Sequence, residues 1–384
     1  MESISIKVGI KTSGSPILQI DGGVTVLKNM LIGDRFHWQT TIEAKLPGNV
    51  KVLSPVSFSK GEGGRSNYGA DNVSIVNTLP LETYLQCVVG SEMNPEAPIE
   101  FLKAHAIISR SWALGKIIGC HQPHDGGKID SSGKLIGWED TQSHIGFHVC
   151  SDDHCQRYQG IQDISAKATE AIISTEDKVL VSSDGKLVDA RFSKCCGGYT
   201  ERFETCWQDI SPDCIESKAD PWCNLEKKDM IERRQILESV LKDYDIETQG
   251  YGYKWESEIS KSEIRKNLRE RFGRDLGEIR EIAPVHRGPS GRIDLIKIKG
   301  EKGELEFGKE LWIRRLLSPS HLYSSAFRIF DRGSKLHFEG RGWGHGVGLC
   351  QIGAANWALN GGTCEEILNF YYPGSHIQTY EKYS

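Results

Sequence analysis

Gly340-Arg341-Gly342-Trp343-Gly344-His345-Gly346-Val347-Gly348 carries glycine at every second position and runs directly into Leu349-Cys350-Gln351. Extended backbone alternates its side chains between two faces, so this run reads as a strand with one bare face. The other face carries Arg341, Trp343, His345, Val347 and Leu349. Glycine weakens a strand interior, and its usual compensation is close approach of a ligand or of a second backbone. A bare floor beside a cation, an indole and an imidazole suits a flat polar ligand such as a sugar. A tight glycine bend packed on a core is the structural alternative. A phosphate cradle is set aside, because the G-x-G-x-x-G spacing is absent and no P-loop lysine follows.

Bulk properties narrow the class. A chain of 384 residues holds one large domain or two to three smaller ones. Its 38% hydrophobic and 26% charged residues are those of a globular protein, which excludes general disorder. A net charge of -5 with no Lys/Arg run leaves no electrostatic footprint for nucleic acid. No apolar stretch approaches the ~20 residues that span a bilayer. The first ten residues alternate like a strand, and Glu2 and Lys7 break any signal-peptide apolar region. The compartment is left open. Eleven cysteines are too few for a disulfide-built scaffold of this length. They cluster, however, at Cys150 and Cys155, at Cys195 and Cys196, and at Cys206, Cys214 and Cys223. Clustering points to metal in a reducing compartment and allows one or two bridges in an oxidising one.

Along the chain, residues 1–78 read as short strands with turns at Gly22-Gly23 and Pro47-Gly48. Pro80 opens a helix with Leu81, Leu85 and Val88 on one stripe, ended by Gly90. A second helix follows Pro98, and its residues from Ile99 to Ile118 are apolar nearly all round, which predicts burial. Arg110 in its middle then needs a carboxylate or a ligand. Residues 120–160 are loop-rich, 179–205 and 286–316 read as strands, and the charged segment 226–275 reads as a peripheral helical insertion. A helix over about 351–360 is closed by Gly361-Gly362. Thr363 and Glu366 form a capping box for the last helix.

Three motifs recur in order over residues ~75 to ~375, which makes chance a poor explanation. Leu79-Pro80-Leu81-Glu82-Thr83-Tyr84-Leu85 leads through Val88-Val89-Gly90-Ser91-Glu92-Met93 to Lys103-Ala104-His105-Ala106 and Ser109-Arg110-Ser111-Trp112. Phe192-Ser193 precedes Cys196-Gly197-Gly198-Tyr199-Thr200-Glu201. The glycine run continues to Gln351 and Gly353-Ala354, and the set ends at Tyr371-Tyr372-Pro373-Gly374. In these motifs the chain resembles the stage II sporulation protein D family, which includes the amidase-enhancer proteins.

The resemblance implies a lytic transglycosylase acting on peptidoglycan glycan strands, with Glu92 as the catalytic acid. A glutamate between two buried helices is partly desolvated, which favours its protonated form. It would protonate the glycosidic oxygen as a glycosidase acid does, then receive the proton of the muramic acid 6-hydroxyl as that oxygen closes on C1. No water attacks, so a second carboxylate is not required. Ser193, Arg341, His345, Gln351 and Arg110 are the expected substrate-binding residues. Four of them have a structural alternative: a turn or cap for Ser193 and Gln351, a hydrogen-bonding imidazole for His345, and a buried ion pair for Arg110. Glu82, Glu96 and Glu100 read as structural. His144, Cys150, His154 and Cys155 have the residue types of a tetrahedral zinc site, and the resemblance implies zinc there. His148 competes with His144. The expected fold is α+β, with mixed strands and helices forming a sugar-binding groove in one domain over 1–384. The alternative function is a non-catalytic glycan binder that enhances a cell-wall amidase.

Overall fold

The helix α2 (Ile99–Ile118) is buried without a break from Ala104 to Gly115, as its all-round apolar pattern predicts. It is the axis of the larger of two cores in a computed structural model describing residues 4–34, 38–53, 73–120, 126–129, 133–138, 144, 146–152, 155–225, 228–241 and 253–380. Packed around α2 are α1 (Leu81–Glu92), α3 (Ala166–Ser174), the strand Lys178–Val181 and the helices Gln351–Leu359 and Cys364–Tyr371. Each fully buried Leu, Ile or Phe in such a core contributes roughly 1.5–3 kcal/mol. The last helix carries the Thr363–Glu366 capping box. Its first amide, Cys364 N, also donates to Glu100 Oε2 at 2.8 Å, a carboxylate where a helix start favours one.

The first strand, Ser5–Lys11, buries Ile6, Val8 and Ile10 against α1 and α2. It lies between an antiparallel partner, Val73–Pro80, and a parallel one, Val149–Cys150. A separate meander, Leu18–Asp21, Val24–Asp34 and Trp38–Leu46, adds Leu27, Met30 and Ala44 to the same core.

A second core is built from the later part of the chain. The antiparallel strands Ile279–Arg287, Ile293–Gly300 and Gly303–Gly308 extend through Leu135–Trp138 to Gly126–Ile129. A three-stranded sheet, Lys254–Ser260, Lys335–Arg341 and Phe327–Asp331, packs beside it with the helices Lys261–Phe272 and Glu310–Leu316. The segment 226–275 therefore differs from the helical insertion expected of it. It holds the helices Met230–Val240 and Lys261–Phe272, but Lys254–Ser260 is a strand paired along its length with Lys335–Arg341. The reason is local: Trp255 and Ile259 face inward while Glu256 and Glu258 face out, so the charge count hid a period of two. The helix Met230–Val240 is not peripheral either, because Ile236, Leu237 and Val240 join the larger core. The mixed architecture is α+β. Among the described residues, no helix is long and apolar enough to cross a membrane.

Candidate active site

Helix α1 does not stop at Gly90; it continues to Glu92, with Met93 as its extended C-cap. Gly90 serves packing instead, since a Cβ there would lie 2.3 Å from the Asp163 carbonyl oxygen. Glu92 is thus fixed on the last turn of a helix rather than on a loop, and it is only 4% exposed. Its Oε1 accepts a hydrogen bond of 2.8 Å from Arg157 N. The residues flanking Arg157 hold that amide in place. Gln156 accepts from Tyr84 Oη and donates to Ser109 O, while Tyr158 stacks on Tyr84 and donates to Asn77.

Lys194 closes the other side. Its Nζ donates to the Glu92 carbonyl oxygen at 2.7 Å, one of the carbonyls that a helix C-terminus leaves unpaired. An ammonium at the negative end of a helix is stabilising. Lys194 follows Ser193, whose buried Oγ has no hydrogen-bond partner among the described residues. A buried hydroxyl left unpaired is uncommon and marks a place where a further partner belongs.

The glycine run is not a strand with a bare face. The strand ends at Arg341, and Gly342, Gly344, Gly346 and Gly348 all have φ between +70° and +91°. Residues with side chains rarely adopt that conformation. The space a Cβ would need is taken by protein: Arg292 Cζ lies 2.5 Å from the position at Gly346, and Arg191 O lies 2.0 Å from that at Gly348. The close approach is therefore that of a second backbone and a guanidinium, and no sugar floor exists there. Arg292 is fully buried and donates to Gly344 O, Cys196 O and Ser290 Oγ at 3.0–3.1 Å. Glu201, also fully buried, accepts from Ser290 and from Arg202 N. Burial pushes the Glu201 carboxyl up, against the pull of these donors and of Arg292. Arg292 lies outside the motifs and Glu201 enters only as the last residue of one, because each acquires its role through this long-range network.

The remaining expected binding residues separate. Arg110 is committed elsewhere: Nε and Nη2 grip both oxygens of Glu82 at 2.7 Å, and Nη1 donates to Lys178 O. The expected substrate-binding role gives way to the buried ion pair. Gln351 Nε2 lies 2.9 Å from His105 Nε2, and His105 Nδ1 lies 3.2 Å from Ser109 Oγ. Gln351 is thus enclosed, and its contact is His105, which the sequence offered only as a motif letter. Burial, helped by Lys194, pushes the His105 pKa down to about 3, so its ring is neutral. His345 accepts from Val347 N through Nδ1 and stands edge-on to Trp207. Burial first, then Arg191, Arg292 and Arg314, hold it well below the ordinary range. It is a neutral hydrogen-bonding ring. Arg341 is exposed but donates to Ser290 O at 2.9 Å. Ser193 is the member of the expected set that directly precedes Lys194, the residue anchoring the Glu92 helix end.

His144, Cys150 and Cys155 converge, their ligand atoms all within 4.8 Å of one another. Cys155 Sγ lies 3.8 Å from His144 Nε2. His144 Nδ1 is 3.2 Å from His148 O, the outer hydrogen bond that orients a metal-binding imidazole. His148 uses its own Nδ1 to accept from Lys7 N, which favours His144 over His148. His154 lies outside the described residues. The donor set fits zinc, and Cys155 immediately precedes the Gln156-Arg157-Tyr158 segment that meets Glu92. A cleft of about 340 Å³ opens farther along the chain, lined in part by Trp138, Asp189, Arg191, Phe203 and Trp207. The Arg191 guanidinium lies 3.9 Å from the centre of the Trp207 ring.

Residues 69–181 match the family described as stage II sporulation protein, and residues 201–348 match a domain of unknown function, DUF8618. The chain is 26% identical over 312 residues to stage II sporulation protein D of Bacillus subtilis, covering 81% of this chain and 77% of that protein. An uncharacterised protein of Brachyspira hyodysenteriae is 26% identical over 313 residues, 81% of this chain and 70% of its own length. The amidase enhancer of Bacillus subtilis is 23% identical over 77% of this chain and 40% of that protein. The stage II sporulation protein match spans Glu92 and its helix, and the chain is similar to stage II sporulation protein D along about four-fifths of its length.

Proposed function

We propose that the protein is a peptidoglycan lytic transglycosylase with Glu92 as its acid and then its base. The observation that carries this reading is a buried glutamate with one oxygen tied to Arg157 N and its helix end tied to Lys194, the residue that follows the unpaired Ser193 hydroxyl in the chain. Because Oε1 accepts from an amide, the transferable proton sits on Oε2. That proton passes to the glycosidic oxygen as the C1–O bond breaks. The muramic acid 6-oxygen bonds to C1 and returns its proton to Glu92, so the carboxyl ends as it began. Positioning and a correctly protonated acid together supply the acceleration. Ser193 hydrogen-bonds the sugar. Zinc held by His144, Cys150 and Cys155, with His154 as the expected fourth ligand, would be structural; bound there, it would close the loop whose next residues present Arg157 N to Glu92.

Two outcomes test this. Glu92→Gln should keep its thermal transition and glycan binding while cleavage of peptide-free strands falls by at least ~10²-fold, the usual scale for a lost general acid. Stripping the metal, or Cys155→Ser, should lower both cleavage rate and melting temperature, whereas an unchanged rate would remove the positioning role. The likeness to an amidase enhancer favours a second reading, a glycan binder that activates a partner amidase. It is distinguished by retention of strands without cleavage and by stimulation of an added amidase.

A further inference from the structure

Behind the strand pair Phe192–Ser193 and Leu349–Cys350 lies a second sulfur cluster, independent of the chemistry proposed for Glu92. Cys195, Cys196, Cys223 and Cys350 are between 0% and 2% exposed and come from three separate parts of the chain. The ligand atoms of Cys196, Cys223, Cys350 and Asp220 all lie within 4.8 Å of one another. Cys195 Sγ is 3.4 Å from Cys223 Sγ. Cys195 and Cys196 each interact with both Cys223 and Cys350, so the two adjacent cysteines border the same pair of sulfurs. Cys195, Cys196, Cys223 and Cys350 form no disulfide, and a 3.4 Å separation is far from the ~2.05 Å of a disulfide.

We propose that Cys195, Cys196, Cys223 and Cys350 hold one zinc ion as a buried tetrathiolate. Zinc–sulfur bonds of ~2.3 Å put the corners of a tetrahedron roughly 3.8 Å apart, close to the spacing found. Four soft sulfur donors select zinc over hard cations, and the sulfurs are too close together to enclose a multi-iron cluster. The surroundings suit thiolates. Cys350 Sγ accepts from Cys196 N at 3.2 Å and Gly353 N at 3.4 Å. Arg292 donates to Cys196 O at 3.0 Å, placing a buried cation beside the cage. Asp220 is the outer partner. Its Oδ1 accepts from Trp222 N and Cys223 N, and its Oδ2 from Tyr371 Oη and Cys196 Sγ. Loading exchanges the thiol protons for one Zn²⁺, and those protons pass to solvent. With four protein ligands the shell is closed and the ion is structural. It would fasten the turn at 220–223 to Lys194-Cys195-Cys196 and to Cys350-Gln351.

The test is native mass spectrometry of the full chain purified with zinc and without chelator. Cys150→Ser/Cys155→Ser should retain one zinc ion, and Cys223→Ser should lose one relative to the parent. A folded Cys150→Ser/Cys155→Ser protein carrying no zinc overturns the proposal, as does a Cys195–Cys223 disulfide in the non-reduced parent. Zinc X-ray absorption of the unmutated protein decides the matter even if a variant fails to fold. The site at His144 supplies at most the sulfurs of Cys150 and Cys155, so an average above two sulfurs per zinc requires the tetrathiolate. Two or fewer contradicts it.

Discussion

At the scale of single residues, the buried imidazole of His105 has the most direct measurable consequence. Its pKa is lowered from an ordinary 6.5 to about 3, so the unfolded chain takes up a proton that the folded chain refuses. Its contribution to stability is present above about pH 6.5 and is lost as pH falls toward 3. Between pH 7 and pH 4 the loss amounts to roughly 3 kcal/mol. Denaturant unfolding across that range should show the decline, and His105→Gln should flatten it; an equal slope in both proteins would refute the assignment. Residue identity was legible in the motifs, but residue partnership was not. Glu92 meets Arg157 and Lys194 across separations of 65 and 102 positions, and no local pattern encodes such pairs. Arg110 illustrates the limit. A buried cation requires a partner, and the sequence did not say that Glu82 supplies it.

At the scale of elements, the apolar patterns of α1 and α2 located them, and glycine closure and a capping box located the two terminal helices. The same reasoning misread the glycine run, since alternation every second residue is shared by a strand and by a chain of left-handed turns. Only the φ angles and the position of Arg292 separate them. Gly346→Ala should therefore destabilise the protein by about 3 kcal/mol or more, combining backbone strain with a clash against a buried guanidinium. Gly374→Ala, at φ +77° with no atom within 4 Å of its Cβ position, should cost about 1 kcal/mol of strain alone. Equal melting temperatures for the two variants would show that the run is not packed as described. The strand Lys254–Ser260 was hidden for a related reason, because its two inward residues are outnumbered by charges on the solvent face.

For the whole molecule, the matched span of 69–181 is smaller than the unit that holds its core together. Helix α2 contacts the helices Gln351–Leu359 and Cys364–Tyr371, His105 meets Gln351, and Ser5–Lys11 pairs with Val73–Pro80. Residues 69–181 expressed alone should lack a cooperative thermal transition by circular dichroism, whereas the full chain should show one. The glycine run crosses from the smaller core to the larger, so the site near Glu92 and Ser193 depends on chain segments nearly 260 residues apart, from Glu92 to Cys350. The central claim is the chemistry at Glu92. Purified peptide-free glycan strands should be incubated with the protein in heavy-oxygen water and their new ends identified by mass spectrometry. The account predicts 1,6-anhydromuramic ends without the heavy label, formed by the parent protein and not by Glu92→Gln. Labelled reducing ends, or strands left intact by a folded protein, would contradict it.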